Sequence, residues 1–321
     1  MEKRQLGRSG LEVTVLTMGC WQAGGAQWTD TDDESSIQAI RAAFDAGINF
    51  FDTAEAYGSG HSEEIVAQAL EGHRDEVLIA TKLFPGNYQA AKARESIDNS
   101  LKRLQTDCID LYQLHWPSGI WGTPVVPLEE TLGVLLQAQQ EGKIRALGVS
   151  NFDAGLIDET LKVGRIDSLQ PPYSLFFQPF NKNGTVQKCV AEGIGVIPYS
   201  PLAQGLLTGK FNHDNKPGKG DNRAGNALFN GETYDIALQA VEQLKPIAAK
   251  YGVTTGQLAL QWLLGQPGVT SVIVGARNAE QVNDNIASAG FVIDDADRAQ
   301  ISRIGATVTD TLSDDKVNMW G

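Results

Sequence analysis

Four side chains in this sequence could together move a proton. Asp52, Lys82 and His115 each close a short apolar run: Asp52 follows Asn49-Phe50-Phe51, Lys82 follows Ala80-Thr81, and His115 follows Leu111-Tyr112-Gln113-Leu114. Tyr57 lies five residues past Asp52. A buried lysine requires a counter-charge, which Asp52 can supply. A phenol beside an ammonium has its phenolate favoured, so its pKa is expected to fall from about 10 toward working pH. Such a phenol donates a proton well to a carbonyl oxygen, and His115 could hydrogen-bond the same oxygen. Taken singly, the pair, the histidine and the tyrosine each have an ordinary packing explanation. Gathered on one rim of one fold, they make a proton-donating site.

That gathering depends on the elements that carry them. Short runs rich in Val, Ile, Leu and aromatics occur at 15–20, 49–52, 77–81, 109–115, 146–150, 168–170, 195–199 and 271–274. They read as strands buried on both faces, as in a parallel sheet. Amphipathic helices lie between them, one with Ile37, Ile40 and Phe44, one with Ile97, Leu101 and Leu104, one with Leu128, Leu132 and Leu135. Asp30-Thr31-Asp32 and Asp153 suit helix N-caps, Pro127 suits a first turn, and Gly47 and Gly142 suit helix stops. Eight such units in 321 residues predict one α/β domain, 1–321, folded as a (β/α)8 TIM barrel. A doubly wound nucleotide-binding sheet would show a glycine fingerprint after its first strand; Cys20-Trp21-Gln22 stands there instead. Residues 4–14, with Gly7-Arg8-Ser9-Gly10, read as an N-terminal β-hairpin able to plug the barrel bottom. Residues 209–232 read as a long loop and the chain beyond Ile304 as irregular. In a barrel, chemistry sits at the C-terminal strand ends, where Asp52, Lys82 and His115 all fall.

Composition narrows the partners. The net charge is −13, which argues against nucleic acid and anionic membrane. The three cysteines, Cys20, Cys108 and Cys189, show no metal or redox spacing and read as reduced thiols of a cytoplasmic protein. No apolar run reaches the roughly 20 residues of a membrane span, and residues 1–5, with no apolar run after their charges, do not read as a secretion signal, so none is expected. HExxH, P-loop and GxSxG motifs are missing, and four scattered histidines predict no metal site. The expected assembly is a monomer or weak homo-oligomer acting on a small carbonyl compound.

The stretch Phe51-Asp52-Thr53-Ala54-Glu55-Ala56-Tyr57-Gly58-Ser59-Gly60-His61-Ser62-Glu63 closely resembles the aldo-keto reductase signature. Ala80-Thr81-Lys82, Leu114-His115-Trp116-Pro117, Gly148-Val149-Ser150-Asn151-Phe152 and Tyr199-Ser200-Pro201-Leu202 resemble later motifs of that family, in family order. The branch it resembles lies near bacterial aldo-keto reductases and potassium-channel β subunits, and His115 is kept where the β subunits often have Asn. The resemblance implies an NADPH-dependent reductase of aldehydes and ketones, with Tyr57 as general acid, Asp52 and Lys82 tuning it, and His115 placing the carbonyl. It implies that Ser150, Asn151 and Gln170 hold the nicotinamide amide and that Tyr199 stacks on the ring. It assigns Trp21, Ser200, Pro201, Leu202, Gln204 and Lys210 to cofactor binding, chiefly of the pyrophosphate, with Gly275 and Gln281 in the segment at the adenosine 2′-phosphate and Arg277, Lys210 and Arg223 as the local cations for that phosphate. Asp284 and Asn285 match the adenine contacts. Gln281 stands where some branches carry Arg, so NADH is not excluded. Trp21, Phe84 and Trp116 are implied as substrate walls, while Trp28, Trp121 and Trp320 have no assigned place. Two other readings compete: a Schiff-base barrel with Lys82 as nucleophile, which an adjacent Asp52 disfavours, and a cofactor-binding regulatory or redox-sensing subunit with little turnover.

Overall fold

The computed structural model describes residues 1–25, 32–218, 221–312 and 319. It begins with the expected hairpin: β1 (Lys3–Gln5) and β2 (Glu12–Thr14) pair antiparallel, with Arg4 opposite Val13. Among the described residues, eight parallel strands follow: β3 (Leu16–Gly19), β4 (Phe50–Asp52), β5 (Leu78–Leu83), β6 (Ile109–Leu114), β7 (Ile144–Ser150), β8 (Ser168–Gln170), β9 (Gly195–Val196) and β10 (Val272–Gly275). Each coincides with an apolar run read from the sequence. They pair in the order β10-β3-β4-β5-β6-β7-β8-β9. The circle closes because Val196 donates to the Gly268 carbonyl, Thr270 donates to that of Val196, and Ile273 donates to that of Pro198. The short β9 has a simple cause: Pro198, Pro171 and Pro172 lack N–H donors, so the ladder thins there, although Tyr199 still donates to the Pro171 carbonyl at 3.0 Å.

The helices are α1 (Asp33–Asp45), α2 (His61–Ala69), α3 (Ala90–Arg103), α4 (Leu128–Gln140), α5 (Ala154–Val163), α6 (Pro179–Lys182), α7 (Thr185–Glu192), α8 (Gly231–Lys250), α9 (Thr255–Leu264), α10 (Ala279–Ala287) and α11 (Asp295–Thr309). The predicted apolar faces turn inward: Ile37, Ile40, Ile97, Leu132 and Leu135 are buried. Asp32 caps α1 by accepting from Ser35 N–H, and Asp153 caps α5 by accepting from Leu156 N–H; Asp30 and Thr31 lie outside the described residues. Pro127 stands one position earlier than expected, as the N-cap of α4. Gly47 and Gly142 follow the ends of α1 and α4 with φ of 86° and 79°.

Two tail expectations change. The chain does not become irregular at Ile304, because α11 continues to Thr309 and buries Val308 and Thr309. The 209–232 segment is not one featureless loop. Short turns at Asn222–Gly225 and Ala227–Phe229 interrupt it, and α8 starts at Gly231. Leu228 and Phe229 are fully buried, and Ala227 donates to the carbonyl of buried Met319.

The barrel interior has a compact apolar layer of Phe50, Ala80, Leu111, Ala146, Ile197 and Ile273, plugged from below by Leu6, Leu11 and Val13 of the hairpin. One pleat higher on the same inward faces stand Asp52, Lys82, Gln113, Gly148 and Gln170, since Lys82 pairs in register with Gln113 and Gln113 with Gly148. Dry packing below thus supports a polar layer at the C-terminal mouth. No described helix is long and apolar enough to cross a membrane.

Candidate active site

Lys82 is completely buried and lies within β5. Its three donors are used: Nζ donates to Asp52 Oδ1 at 2.7 Å, to the Thr53 carbonyl at 2.8 Å and to the Tyr57 hydroxyl at 3.2 Å. Asp52 is held on its other side, where Oδ2 accepts from Gln170 Nε2 at 2.8 Å and from Gln113 Nε2 at 3.5 Å. Gln113 was not singled out from the sequence. Its signal was present, as a polar residue inside an otherwise apolar strand at the inward parity. Gly148 leaves room for it, since a Cβ there would meet Ser168 Oγ and Gln113 Cγ.

Tyr57 is brought to this ammonium by a backbone crossing. Gly58 has φ of 60°, and a Cβ on it would run into the Gly24 carbonyl; a Cβ on Gly24 would lie 2.7 Å from the Tyr57 carbonyl carbon. Two glycines far apart in sequence therefore let the loop after β3 and the loop after β4 touch. The phenol departs from the sequence expectation. Burial pushes the Tyr57 pKa up, and the Lys82 charge only partly offsets this. Desolvation outweighs the ammonium because Lys82 already serves Asp52. Lys82 itself is raised above its usual value: burial opposes the charge, but Asp52 and then Tyr57 outweigh it. A protonated amine is no nucleophile, which disfavours the Schiff-base reading.

His115 packs edge-on to Tyr57, with ring centroids 5.6 Å apart. Burial, then the Lys82 charge, pushes its pKa well below the usual histidine range. Its Nδ1 is buried with no hydrogen-bond partner.

These groups open into a cavity of about 1030 Å³. That is at or above the roughly 300–1,000 Å³ of ordinary small-ligand sites. The cavity brings together the predicted Trp21, Asp52, Tyr57, Phe84, His115, Trp116, Ser150, Asn151, Gln170, Tyr199, Ser200, Pro201, Leu202, Gln204, Lys210, Arg223, Gly275, Arg277, Gln281, Asp284 and Asn285; Lys82 stands just behind Tyr57. Trp121, unplaced from the sequence, lines it too, 5.0 Å from Trp116. Trp28 and Trp320 lie outside the described residues.

On one side of the mouth, polar groups form a closed network. Ser150 Oγ donates to the Gln170 carbonyl, Asn151 Nδ2 donates to Ser150 Oγ and to the His115 carbonyl, and the Tyr199 hydroxyl donates to Asn151 Oδ1. Asn151, Ser200, Ala203 and Gln204 hold φ between 50° and 64°, a strained backbone for residues with side chains. Above β9 and β10, Lys210, Arg223 and Arg277 converge. Burial and then the charges of Arg223 and Arg277 lower the Lys210 pKa. Asp221 partly compensates, accepting from Arg223 Nε at 2.8 Å and Nη2 at 2.5 Å. Gln281 serves the entrance to α10, its Oε1 accepting from Arg277 N–H at 3.0 Å, while Asn278 caps the helix. Asp284 Oδ1 accepts from Gln257 Nε2 at 2.7 Å. A cavity with side-chain amides beside the Tyr57–Lys82 pair, and cations near the N-terminus of α10, has the chemistry to accept a nicotinamide dinucleotide. The described residues contain no group of side chains able to hold a metal ion.

The comparisons agree with this geometry. The aldo/keto reductase family model matches residues 15–306. An aldo-keto reductase of Bacillus subtilis is 39% identical, covering 98% of this chain and 96% of its own. An NADH-specific methylglyoxal reductase of Escherichia coli is 38% identical over 92% of this chain and 96% of its own. A probable voltage-gated potassium channel β subunit of Oryza sativa is 35% identical over 89% and 90%. Among solved structures, a glycerol dehydrogenase from Gluconobacter oxydans superposes with a TM-score of 0.87 at 32% identity, over 97% of both chains. A Klebsiella pneumoniae aldo-keto reductase in complex with NADPH superposes with a TM-score of 0.76 at 28% identity, over 99% and 100%. The chain is thus a (β/α)8 barrel that belongs to the aldo-keto reductase family, an NAD(P)H-dependent oxidoreductase.

Proposed function

We propose that this enzyme reduces aldehydes and ketones with NADPH, and that Tyr57 supplies the proton. The observation that carries the reading is the buried ammonium of Lys82, shared between Asp52 and the hydroxyl of Tyr57 at the cavity floor. The cofactor, when bound, supplies a hydride to the carbonyl carbon. The protein does the rest. Tyr57 holds its proton in the resting site, because burial raises its pKa, and releases it to the carbonyl oxygen as negative charge develops there. Lys82, kept charged by Asp52, then stabilises the phenolate. The pKa matching thus takes place during the reaction, not before it.

His115 contributes as a neutral donor. A buried N–H without an acceptor is costlier than a lone pair without a donor, so Nδ1, which has no protein hydrogen-bond partner, is assigned the lone pair and Nε2 the ring proton. That N–H can orient the carbonyl oxygen beside the Tyr57 hydroxyl. Ser150, Asn151 and Gln170 would hold the nicotinamide amide by exchanging hydrogen bonds within their present network, and Tyr199 would stack on the ring. Lys210, Arg223 and Arg277, gathered on the cavity wall, support NADPH over NADH, since a 2′-phosphate among them would accept charge-assisted hydrogen bonds. Gln281 acts at this site through the backbone of Arg277. The alternative is a cofactor-binding regulatory subunit with little turnover; against it, the complete set Asp52, Tyr57, Lys82 and His115 favours catalysis.

The test is Tyr57→Phe. Loss of a general acid should cost on the order of 10²–10⁴ in kcat against a panel of aldehydes. NADPH binding, followed by fluorescence, should change little. Undiminished turnover would remove Tyr57 from the mechanism.

A further inference from the structure

The aromatic walls of the cavity mouth come from separate loops, and a third segment ties two of them together. Phe84 precedes the short turn Pro85–Asn87 that follows β5. Glu55, two residues before Tyr57, grips this turn. Its Oε1 accepts from the Phe84 N–H at 2.6 Å and from Asn87 Nδ2 at 3.1 Å, and its own N–H donates to the Lys82 carbonyl at 3.4 Å. Ser96 of α3 also hydrogen-bonds the carboxylate. At the other end of the turn, the hydroxyl of buried Tyr88 donates to the Trp116 carbonyl at 2.5 Å, and Trp116 N–H approaches the same hydroxyl at 3.4 Å. Thr131 of α4 donates to the Tyr88 carbonyl at 2.9 Å. A hydrogen-bonded brace therefore runs from the loop of Tyr57 through residues 84–88 to the residue after His115. Glu55, Asn87 and Tyr88 are not among the residues lining the cavity, whereas Phe84 and Trp116 are.

Nothing in the hydride or proton chemistry requires this brace. What it fixes is the separation of Phe84 and Trp116. Those walls, with Trp21 and Trp121, are aromatic, and the clustered cations Lys210, Arg223 and Arg277 sit above β9 and β10 instead. We propose that Glu55 and Tyr88 are positioning residues for substrate selectivity, holding Phe84 and Trp116 at a spacing that favours flat, apolar aldehydes over small ones. This rests on the reductase reading above. Carboxylate hydrogen bonds to backbone N–H groups are among the stronger ones, and the Tyr88–Trp116 end of the brace is buried.

The experiment compares Glu55→Ala, Glu55→Gln, Tyr88→Phe and the Glu55→Ala/Tyr88→Phe double variant with benzaldehyde and propionaldehyde. Each of the two disruptive single variants should raise the KM for benzaldehyde about five- to twentyfold, the scale of one lost buried hydrogen bond. The KM for propionaldehyde and kcat for both should stay within about threefold, and the NADPH Kd should not move. Glu55→Gln retains a carbonyl acceptor for Phe84 N–H and should restore the benzaldehyde KM to within about twofold. The double variant should cost less than the product of the singles, because either cut releases the same brace. Benzaldehyde binding to cofactor-free protein, read by quenching of tryptophan fluorescence, should weaken in parallel, so the brace is scored independently of turnover. A fall in kcat at unchanged KM, failure of Gln to rescue, or equal KM increases for both aldehydes would overturn the proposal. Wild-type protein that binds benzaldehyde but never consumes NADPH would overturn the reductase reading instead.

Discussion

Replacing Asp52 with Asn should destabilise the protein in a way that reverses the usual pH trend. The side chains of Lys82 and Asp52 are 0% and 4% exposed, and their N–O distance is 2.7 Å. Removing one charge of a buried pair costs about 3–5 kcal/mol, because the other is left without compensation. An upper limit follows from Lys82 itself. Deprotonating a lysine of ordinary pKa near 10.4 at pH 7 costs about 1.4 kcal/mol per unit, or about 5 kcal/mol, so the loss cannot exceed that by much. Thr53 O and Tyr57 Oη would still solvate the ammonium, which places the expected loss toward 3–4 kcal/mol. With roughly 2.1 cal/mol/K of unfolding entropy per residue, 321 residues convert this into a Tm decrease of roughly 5 °C.

The pH dependence carries the sharper test. In the wild type the folded pKa of Lys82 is raised above 10.5. Its contribution is therefore fully present below the unfolded pKa and is lost as pH rises through the folded one. In Asp52→Asn, burial prevails and the folded pKa drops below the unfolded value. The unfolded chain then binds more protons, and the deficit relative to wild type should shrink as pH rises from 7 toward 10. Urea or thermal unfolding of both proteins across this range measures it. A loss under about 1 kcal/mol at pH 7, or a deficit that widens with pH, would show that Lys82 is not held by Asp52.

Arg277→Ala should weaken NADPH binding about 10–100-fold and NADH less than about threefold, the scale of one charge-assisted bond to phosphate; equal losses in a side-by-side titration would detach Arg277 from the 2′-phosphate. Because burial holds the His115 pKa well below the usual histidine range, kcat/KM should show no imidazole step between about pH 6 and 8. A wild-type step near 6.5 that vanishes in His115→Gln would refute that placement.

Much of this protein was legible in one dimension because its signals are local. Strands buried on both faces must be apolar throughout, so each of the eight barrel strands coincides with an apolar run. A polar residue closing such a run falls at or beside a strand end, which located Asp52, Lys82 and His115 and, through motif resemblance, many residues that line the cavity. Caps such as Asp153 are equally local. What the tertiary structure alone decided depends on desolvation and on contacts between distant segments. Proximity of Lys82 predicted a lowered Tyr57 pKa, yet burial, which no spacing encodes, raises it. The Gly24–Gly58 crossing, Gln113 behind Asp52, and the link from Glu55 through Tyr88 to Trp116 join residues that only the closed barrel makes neighbours. Residue type and period determine which groups reach the mouth; the surroundings, summed over several loops, determine their charge state and what they hold in place.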